Sequence, residues 1–158
     1  MTINIRPMKV AHKKGVMNIL HSTSEFKPAE VATAEELIDY YLTKGILSGY
    51  HVLIAKVGKD ISGYICFGPT PLTEGTWDVY WMAVSPDKKG QGIGSALLSK
   101  AEETIRELNG RLILIETSSI AEYELTRRFY RHAGYSIICR ITDFYSTGDS
   151  LIVFQKRT

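Results

Sequence analysis

Cysteine is scarce in this chain. Two occur in 158 residues, Cys66 and Cys139, with no Cys-x-x-Cys pair to hold a metal or run a redox cycle. Each sits in an apolar, strand-like run, so both are expected to be buried free thiols, away from any chemistry. Histidine is sparse too. His12, His21, His51 and His132 are scattered without ligand spacing, and no metal is expected. Neither sign of charge dominates: 19 basic against 17 acidic residues leave a formal +2, without the basic stripe of a nucleic-acid binder. No apolar run approaches the ~20 residues of a membrane span, and the first residues lack a charged-then-apolar leader pattern. A cytoplasmic address is therefore expected, with neither nucleic acid nor membrane as partner. Repeats, low-complexity tracts and linkers are missing as well. At 44% hydrophobic, a chain of this size can bury one real core, and a single domain over residues 1–158 is expected.

What is present centres on Val84-Ser-Pro-Asp-Lys-Lys-Gly-Gln-Gly-Ile-Gly-Ser-Ala-Leu-Leu98. An apolar strand, Thr76–Val84, runs into a short polar loop. Gly90, Gly92 and Gly94 follow, and a long amphipathic helix opens. Glycines let backbone approach a ligand, and the first helical turn offers unpaired N–H groups at a positive dipole end. That combination suits phosphate.

The rest of the chain reads as elements around this point. Ile3–Arg6 alternates like a first strand, stopped by Pro7. Val16, Ile19 and Leu20 recur at helical spacing between His12 and His21, a helix that Gly15 weakens. A second helix is predicted from Thr33 or Ala34 to about Leu47, on a Thr33/Glu36 capping box. Tyr50–Val57 and Ile61–Phe67 form a hairpin around Gly58-Lys59-Asp60, and Thr76–Val84 adds a third strand to the meander. The glycine-led helix is expected to bury Ile93, Leu97, Ala101, Ile105 and Leu108. Lys100, Glu102, Glu103 and Arg106 then face water, and Asn109-Gly110 is the stop. Arg111–Thr117 holds a Leu-Ile-Leu-Ile run suited to a strand buried on both faces. The strand–helix–strand unit from Thr76 to Thr117 must cross over right-handed, with its strands parallel. A further helix, roughly Glu122–His132, ends at Gly134. Tyr135–Ile141 and Ser150–Lys156 close the chain as an antiparallel pair around the Ser146–Asp149 turn.

Several phosphate ligands fit a glycine-rich turn in principle. A nucleoside triphosphate loop would end in Lys-Ser/Thr, which is absent. A dinucleotide fold finds some support in Glu116, about 22 residues after Gly94 at the end of the next strand. Against it, the glycines run G-x-G-x-G, five residues separate them from the strand, and an antiparallel meander precedes them.

The stretch Met82–Leu98 resembles the acetyl-CoA-binding motif of the GNAT superfamily of N-acetyltransferases, Gln/Arg-x-x-Gly-x-Gly/Ala. It maps onto Lys89-x-x-Gly92-x-Gly94. Lys89 departs at the first position, keeping the charge and losing the planar fork of Arg. Arg127-Arg-Phe-Tyr-Arg-His-Ala-Gly-Tyr135 is similar to the family's Ala-x-x-Phe-Tyr-x-x-x-Gly-Phe helix. The order of elements agrees over nearly the whole chain. The resemblance implies a mixed α/β (α+β) fold with a mostly antiparallel sheet, a central splayed parallel strand pair and helices on both faces.

It also implies roles. Acetyl-CoA, as co-substrate and without a metal, would wedge between the two parallel strands. Its pantetheine would pair with the backbone of Met82, Ala83 and Val84. The pyrophosphate would sit on the N–H groups of Lys89, Gly90, Gln91, Gly92, Ile93, Gly94 and Ser95. Thr126 and Tyr130 would flank the cofactor from the later helix. Acetyl transfer to a primary amine is direct in this family. Tyr130 matches the tyrosine that protonates the departing thiolate, although a Phe-Tyr pair on a helix is also ordinary core packing. Asp78 and Glu116 stand at strand positions where different members carry a base, which must take a proton from an ammonium substrate. Alternatively, Asp78 is a solvent-facing strand acid and Glu116 a structural partner of Arg127 or Arg128. Phe26, Tyr80 and Tyr145 are candidates for the acceptor pocket. Tyr80 shares the Asp78 face, whereas Trp77 and Trp81 alternate onto the other as core, and Asp143-Phe-Tyr145 with Gly148-Asp149 is placed to cap the pocket. Family members are often dimers. The rival reading is a non-catalytic acyl-CoA-binding or regulatory domain of the same fold. The acceptor, a small amine or a peptide or protein amine, is left open.

Overall fold

A computed structural model describes residues 1–158. Strand β1 (Ile3–Pro7) leads through a 3₁₀ turn into helices α1 (Lys13–Ser22) and α2 (Pro28–Lys44). Strands β2 (His51–Val57), β3 (Asp60–Pro69) and β4 (Thr76–Val84) form the meander. Helix α3 (Ile93–Glu107), strand β5 (Leu112–Ser118), helix α4 (Glu124–His132) and strands β6 (Ser136–Ser146) and β7 (Asp149–Arg157) complete the chain. One seven-stranded sheet results, in the order β1-β2-β3-β4-β5-β7-β6. Every pairing is antiparallel except β4 with β5. This is the mixed fold with one central parallel pair that the sequence leads one to expect.

Each face of the sheet carries its own core. On one side Ile93, Leu97, Ala101 and Ile105 of α3 pack with Tyr130 of α4 on Phe67, Ile113 and Phe154. On the other, Leu20 of α1 and Ala34 and Ile38 of α2 cover Ile54, Tyr64 and Cys66. Burial of each large aliphatic side chain contributes about 1.5–3 kcal/mol, so both layers are needed to hold the sheet between them. Gly15 belongs to the second layer. A Cβ there would come within 2.7 Å of Ile61 Cγ1, so the residue that weakens the helix locally is what lets α1 approach β3.

Several expectations need correction. Helix α2 begins at Pro28, a favoured first helical residue, and the Glu30 carboxylate accepts from the Lys27 N–H at 3.3 Å. Thr33 therefore lies inside the helix, its hydroxyl donating to the Ala29 carbonyl at 3.0 Å. The helix stops at Lys44, because Gly45 turns the chain at φ +59°. Leu108 is exposed and Leu98 is buried in its stead. Glu102 does not face water: it is 8% exposed, held by the Lys156 ammonium at 2.6 Å. Of the two thiols only Cys66 is buried, and Cys139 is exposed on β6.

The last correction positions the site. Cys66 pairs with Trp81 and Phe67 with Val79, which leaves Tyr80 as an extra residue on β4. This bulge puts Tyr80 and Trp81 on the same face. Trp77 and Val79 stay in the α3 core, whereas Trp81 packs against the α1/α2 core and meets Phe26 edge-on at 5.7 Å. Trp77 and Trp81 thus lie on opposite faces.

Candidate active site

The parallel pairing of β4 and β5 covers only four positions, from Thr76↔Leu112 to Val79↔Ile115. Beyond them β4 continues to Val84 along β3, and β5 continues to Ser118 along β7. The bulge at Tyr80 sits where the two strands part. From Tyr80 to Val84 one edge of β4 therefore has no strand partner, including the backbone of Met82, Ala83 and Val84. A wedge-shaped gap opens at the middle of the sheet.

The glycine turn lies at the end of this gap. Gly90 (φ +78°) and Gly92 (φ +83°) adopt left-handed backbone that side chains disfavour, and a Cβ on either would meet nothing. Gly94 is different: it sits in the first turn of α3, where a Cβ would rest 3.5 Å from the Phe129 ring. No side chain caps the helix, and its first hydrogen bond runs from Ala96 N–H to Gly92 O at 3.0 Å. The N–H groups of Ile93, Gly94 and Ser95 are thereby left without helical acceptors. Lys89 and Gln91 flank them on the exposed turn. The Lys89 ammonium lies 3.5 Å from Glu25 in the α1–α2 connection. A cleft of about 470 Å³ between α3 and α4 opens beside Ser95 and carries Arg106, His132 and Lys156. Arg106 and Lys156 bring positive charge to this cleft, Lys156 already paired with Glu102 at its wall. Arg106 faces water at the cleft's rim, as its place on the polar side of α3 predicts.

Tyr130 approaches from the α3/α4 side. Its ring packs among Phe129, Tyr135 and Phe154 at 5.5–6.0 Å, the residue is 5% exposed, and burial pushes its phenol well above the ordinary value. It stays protonated across the physiological range. Thr126, one turn earlier, is half-buried on the same helix.

The carboxylates lie on the opposite face. Asp78 is within the paired stretch, opposite Leu114. It accepts from the Thr70 hydroxyl at 2.6 Å, and the Tyr80 hydroxyl lies 3.5 Å away. Burial and Asp78 push Tyr80 up to about 12. Glu116 is the first β5 residue past the last parallel pair, and it is exposed. Neither arginine suggested as its partner engages it. Arg127 donates to the Ser118 and Ile120 carbonyls at 2.8 Å each, and Arg128 pairs with Glu124 at 3.2 Å.

Two residues without any sequence signal, Glu30 and Tyr123, lie toward the last hairpin. The Tyr123 hydroxyl lies 3.4 Å from Glu30. Asp149, 8% exposed, accepts from the Ser118 hydroxyl. Burial, then Glu116, Asp149 and Glu30, push the Tyr145 phenol up. Tyr145 therefore lies within electrostatic reach of Glu116, Asp149 and Glu30. Glu30 and Tyr123 have no motif around them, and only the packing of α2 and of the turn before α4 brings them here. No cluster of His, Cys, Asp and Glu could hold a metal, and no helix is long and apolar enough to cross a membrane.

Comparison with known proteins agrees with this geometry. The model of the GNAT acetyltransferase domain matches residues 48–137, which run from before β2 into β6. No curated protein matches the chain. A protein from Desulfovibrio desulfuricans, assigned to the GNAT family of acetyltransferases, is 39% identical, covers 99% of both chains and superposes with a TM-score of 0.95. The ribosomal-protein-S18-alanine N-acetyltransferase of Escherichia coli shares the fold at 14% identity, with a TM-score of 0.78 over 99% of this chain and 94% of that one. The PaiA N-acetyltransferase of Thermoplasma acidophilum, solved in complex with coenzyme A, does so at 14% identity and a TM-score of 0.80 over the whole of both. With its split parallel pair, its glycine turn before α3 and a relative this similar over its full length, the chain belongs to the GNAT family of acetyltransferases.

Proposed function

We propose that this protein is a cytoplasmic N-acetyltransferase that moves the acetyl group of acetyl-CoA to a primary amine, of a small molecule or of a peptide or protein, by direct attack. The observation that carries the reading is the gap between β4 and β5, with an uncapped helix N-terminus at one end. The free N–H groups of Ile93, Gly94 and Ser95 suit the pyrophosphate. The unpaired edge of β4 offers Met82–Val84 to the pantetheine, and a backbone N–H there would stabilise the oxyanion that forms when the amine attacks the thioester.

Glu116 is the better base. It stands where the gap opens and has no arginine partner, whereas Asp78 sits below the opening with one oxygen bonded to Thr70. The Glu116 carboxylate takes the ammonium proton, directly or through water. Tyr130, on the α3/α4 face of the sheet, is assigned to give its hydroxyl proton to the departing thiolate, and its burial keeps the phenol protonated beforehand. Phe26, Tyr80 and Tyr145 line the acceptor side.

Titration calorimetry with acetyl-CoA, NADH and ATP, followed by thiol release over a panel of amines, tests the proposal. Binding of acetyl-CoA alone, with turnover on at least one amine, is expected. Glu116→Gln should lower kcat/KM by about 10²–10⁴-fold, Tyr130→Phe should lower kcat, and Asp78→Asn should cost less than about tenfold. Full activity in Glu116→Gln removes the assigned base. Binding without thiol release on any amine favours a non-catalytic acyl-CoA-binding domain, and no binding of acetyl-CoA sinks the transferase reading.

A further inference from the structure

One ion pair joins the glycine turn to the other face of the sheet. Lys89 opens the turn, and its ammonium lies 3.5 Å from Glu25 Oε1, 64 residues earlier in the chain. Glu25 belongs to the short connection between α1 and α2. The same connection is held on the acceptor side. Phe26 meets Trp81 edge-on at 5.7 Å, and the Glu25 carbonyl accepts from the Tyr123 hydroxyl at 3.3 Å.

The pair is unequal and incomplete. The Lys89 side chain is 52% exposed and that of Glu25 only 20%, so the lysine can leave far more readily than the carboxylate. Lys89 is the one cation within ion-pair distance of Glu25. Glu25 Oε2 is buried and receives no hydrogen bond, so half of the carboxylate is unsatisfied even with the lysine in place.

We infer that Glu25 is a masked acceptor-binding residue: Lys89 covers its carboxylate until the cofactor's pyrophosphate takes the lysine, and the acceptor's ammonium group then replaces it. The inference rests on the acetyl-CoA reading above. A pyrophosphate on the N–H groups of Ile93, Gly94 and Ser95 concentrates negative charge at the turn that carries Lys89. The lysine, a point charge on a flexible stem, swings from a half-satisfied carboxylate to that denser charge. Glu25 is then partly buried with no counter-ion, an unfavourable state. The reaction itself brings a replacement, because the acceptor amine arrives as an ammonium ion. Seating the cofactor therefore uncovers a carboxylate beside Phe26 and draws the acceptor toward the gap. One lysine couples the two binding events, and by linkage each strengthens the other.

Calorimetry with acetyl-CoA and steady-state kinetics with an amine turned over in the thiol-release panel test this on the full chain. Glu25→Gln frees Lys89 in advance, so acetyl-CoA should bind roughly 2–5-fold tighter. In a Lys89→Met background the same substitution should leave the Kd nearly unchanged, since only screened repulsion remains. Toward the amine, Glu25→Gln should raise KM about 3–10-fold with kcat retained, a split that a merely structural loss does not produce. A Glu25→Gln protein that binds acetyl-CoA like the wild type overturns the inference. So does one that gains as much without Lys89 as with it, or one whose amine KM is unchanged. Acetyl-CoA binding by no variant at all removes the transferase reading itself, and this inference with it.

Discussion

Gly92 stands at φ +83° immediately before α3, and a Cβ there would touch nothing. Its requirement is conformational, not spatial, which fixes what a substitution does. Gly92→Ala should cost about 1–2 kcal/mol in the left-handed turn. Because the turn aims the free N–H groups, the loss should also appear as a roughly tenfold rise in the acetyl-CoA Kd by calorimetry, alongside a Tm drop of about 2–8 °C. The motif was legible because glycines, a helix start and Phe129-Tyr130 carry their meaning in a few consecutive positions. Glu30 and Tyr123 were not, since nothing in their neighbours along the chain says that folding brings them together toward the last hairpin. Lys89 is intermediate. Its place in the motif was visible, and its bridge to Glu25, 64 residues away, was not.

The elements were legible where one period ran through them. Strand β4 has the bounds its pattern predicts, yet the bulge at Tyr80 shifts the alternation midway and carries Trp81 to the other face. A strict period of two cannot show that. The start of α2 was hidden because Thr33 and Glu36 mimic a capping box, whereas Pro28 at the first helical position and the Glu30 carboxylate on the Lys27 N–H start the helix earlier. Strand β2 makes a prediction of its own. His51 stacks on Phe67 at 5.2 Å beside Trp77, and burial lowers its pKa below 6.5. The folded chain then binds that proton less readily than the unfolded chain does. Stability from this site is complete above pH 6.5 and is lost as pH falls from there through the lower folded value. Urea titrations of wild type and His51→Gln between pH 7 and pH 5 should show the wild type losing stability more steeply. Equal slopes would mean the imidazole is not desolvated by its stack.

Across the whole molecule, one ammonium ties three elements together. Lys156 on β7 meets Glu102 of α3 at 2.6 Å and the Ala133 carbonyl after α4 at 2.8 Å, and lies 5.5 Å above the Tyr135 ring. Lys156→Met strands a carboxylate that is almost buried, at a cost of roughly 3 kcal/mol. At this chain length the cost should lower Tm by about 6–12 °C. Adding Glu102→Gln should return most of it, because the isolated charge is then gone. A single variant that melts like the wild type would show the pair to be dispensable.

The sheet order has a consequence in time. β7 lies between β5 and β6, so β6 joins the sheet only through a strand made after it. On the ribosome, Ile137, Ile138 and Ile141 emerge before their one neighbour, β7, while β1 to β5 can already assemble. Until β7 threads between them, the chain is open on two edges at once. Crowded translation is therefore a condition under which this fold is exposed to aggregation.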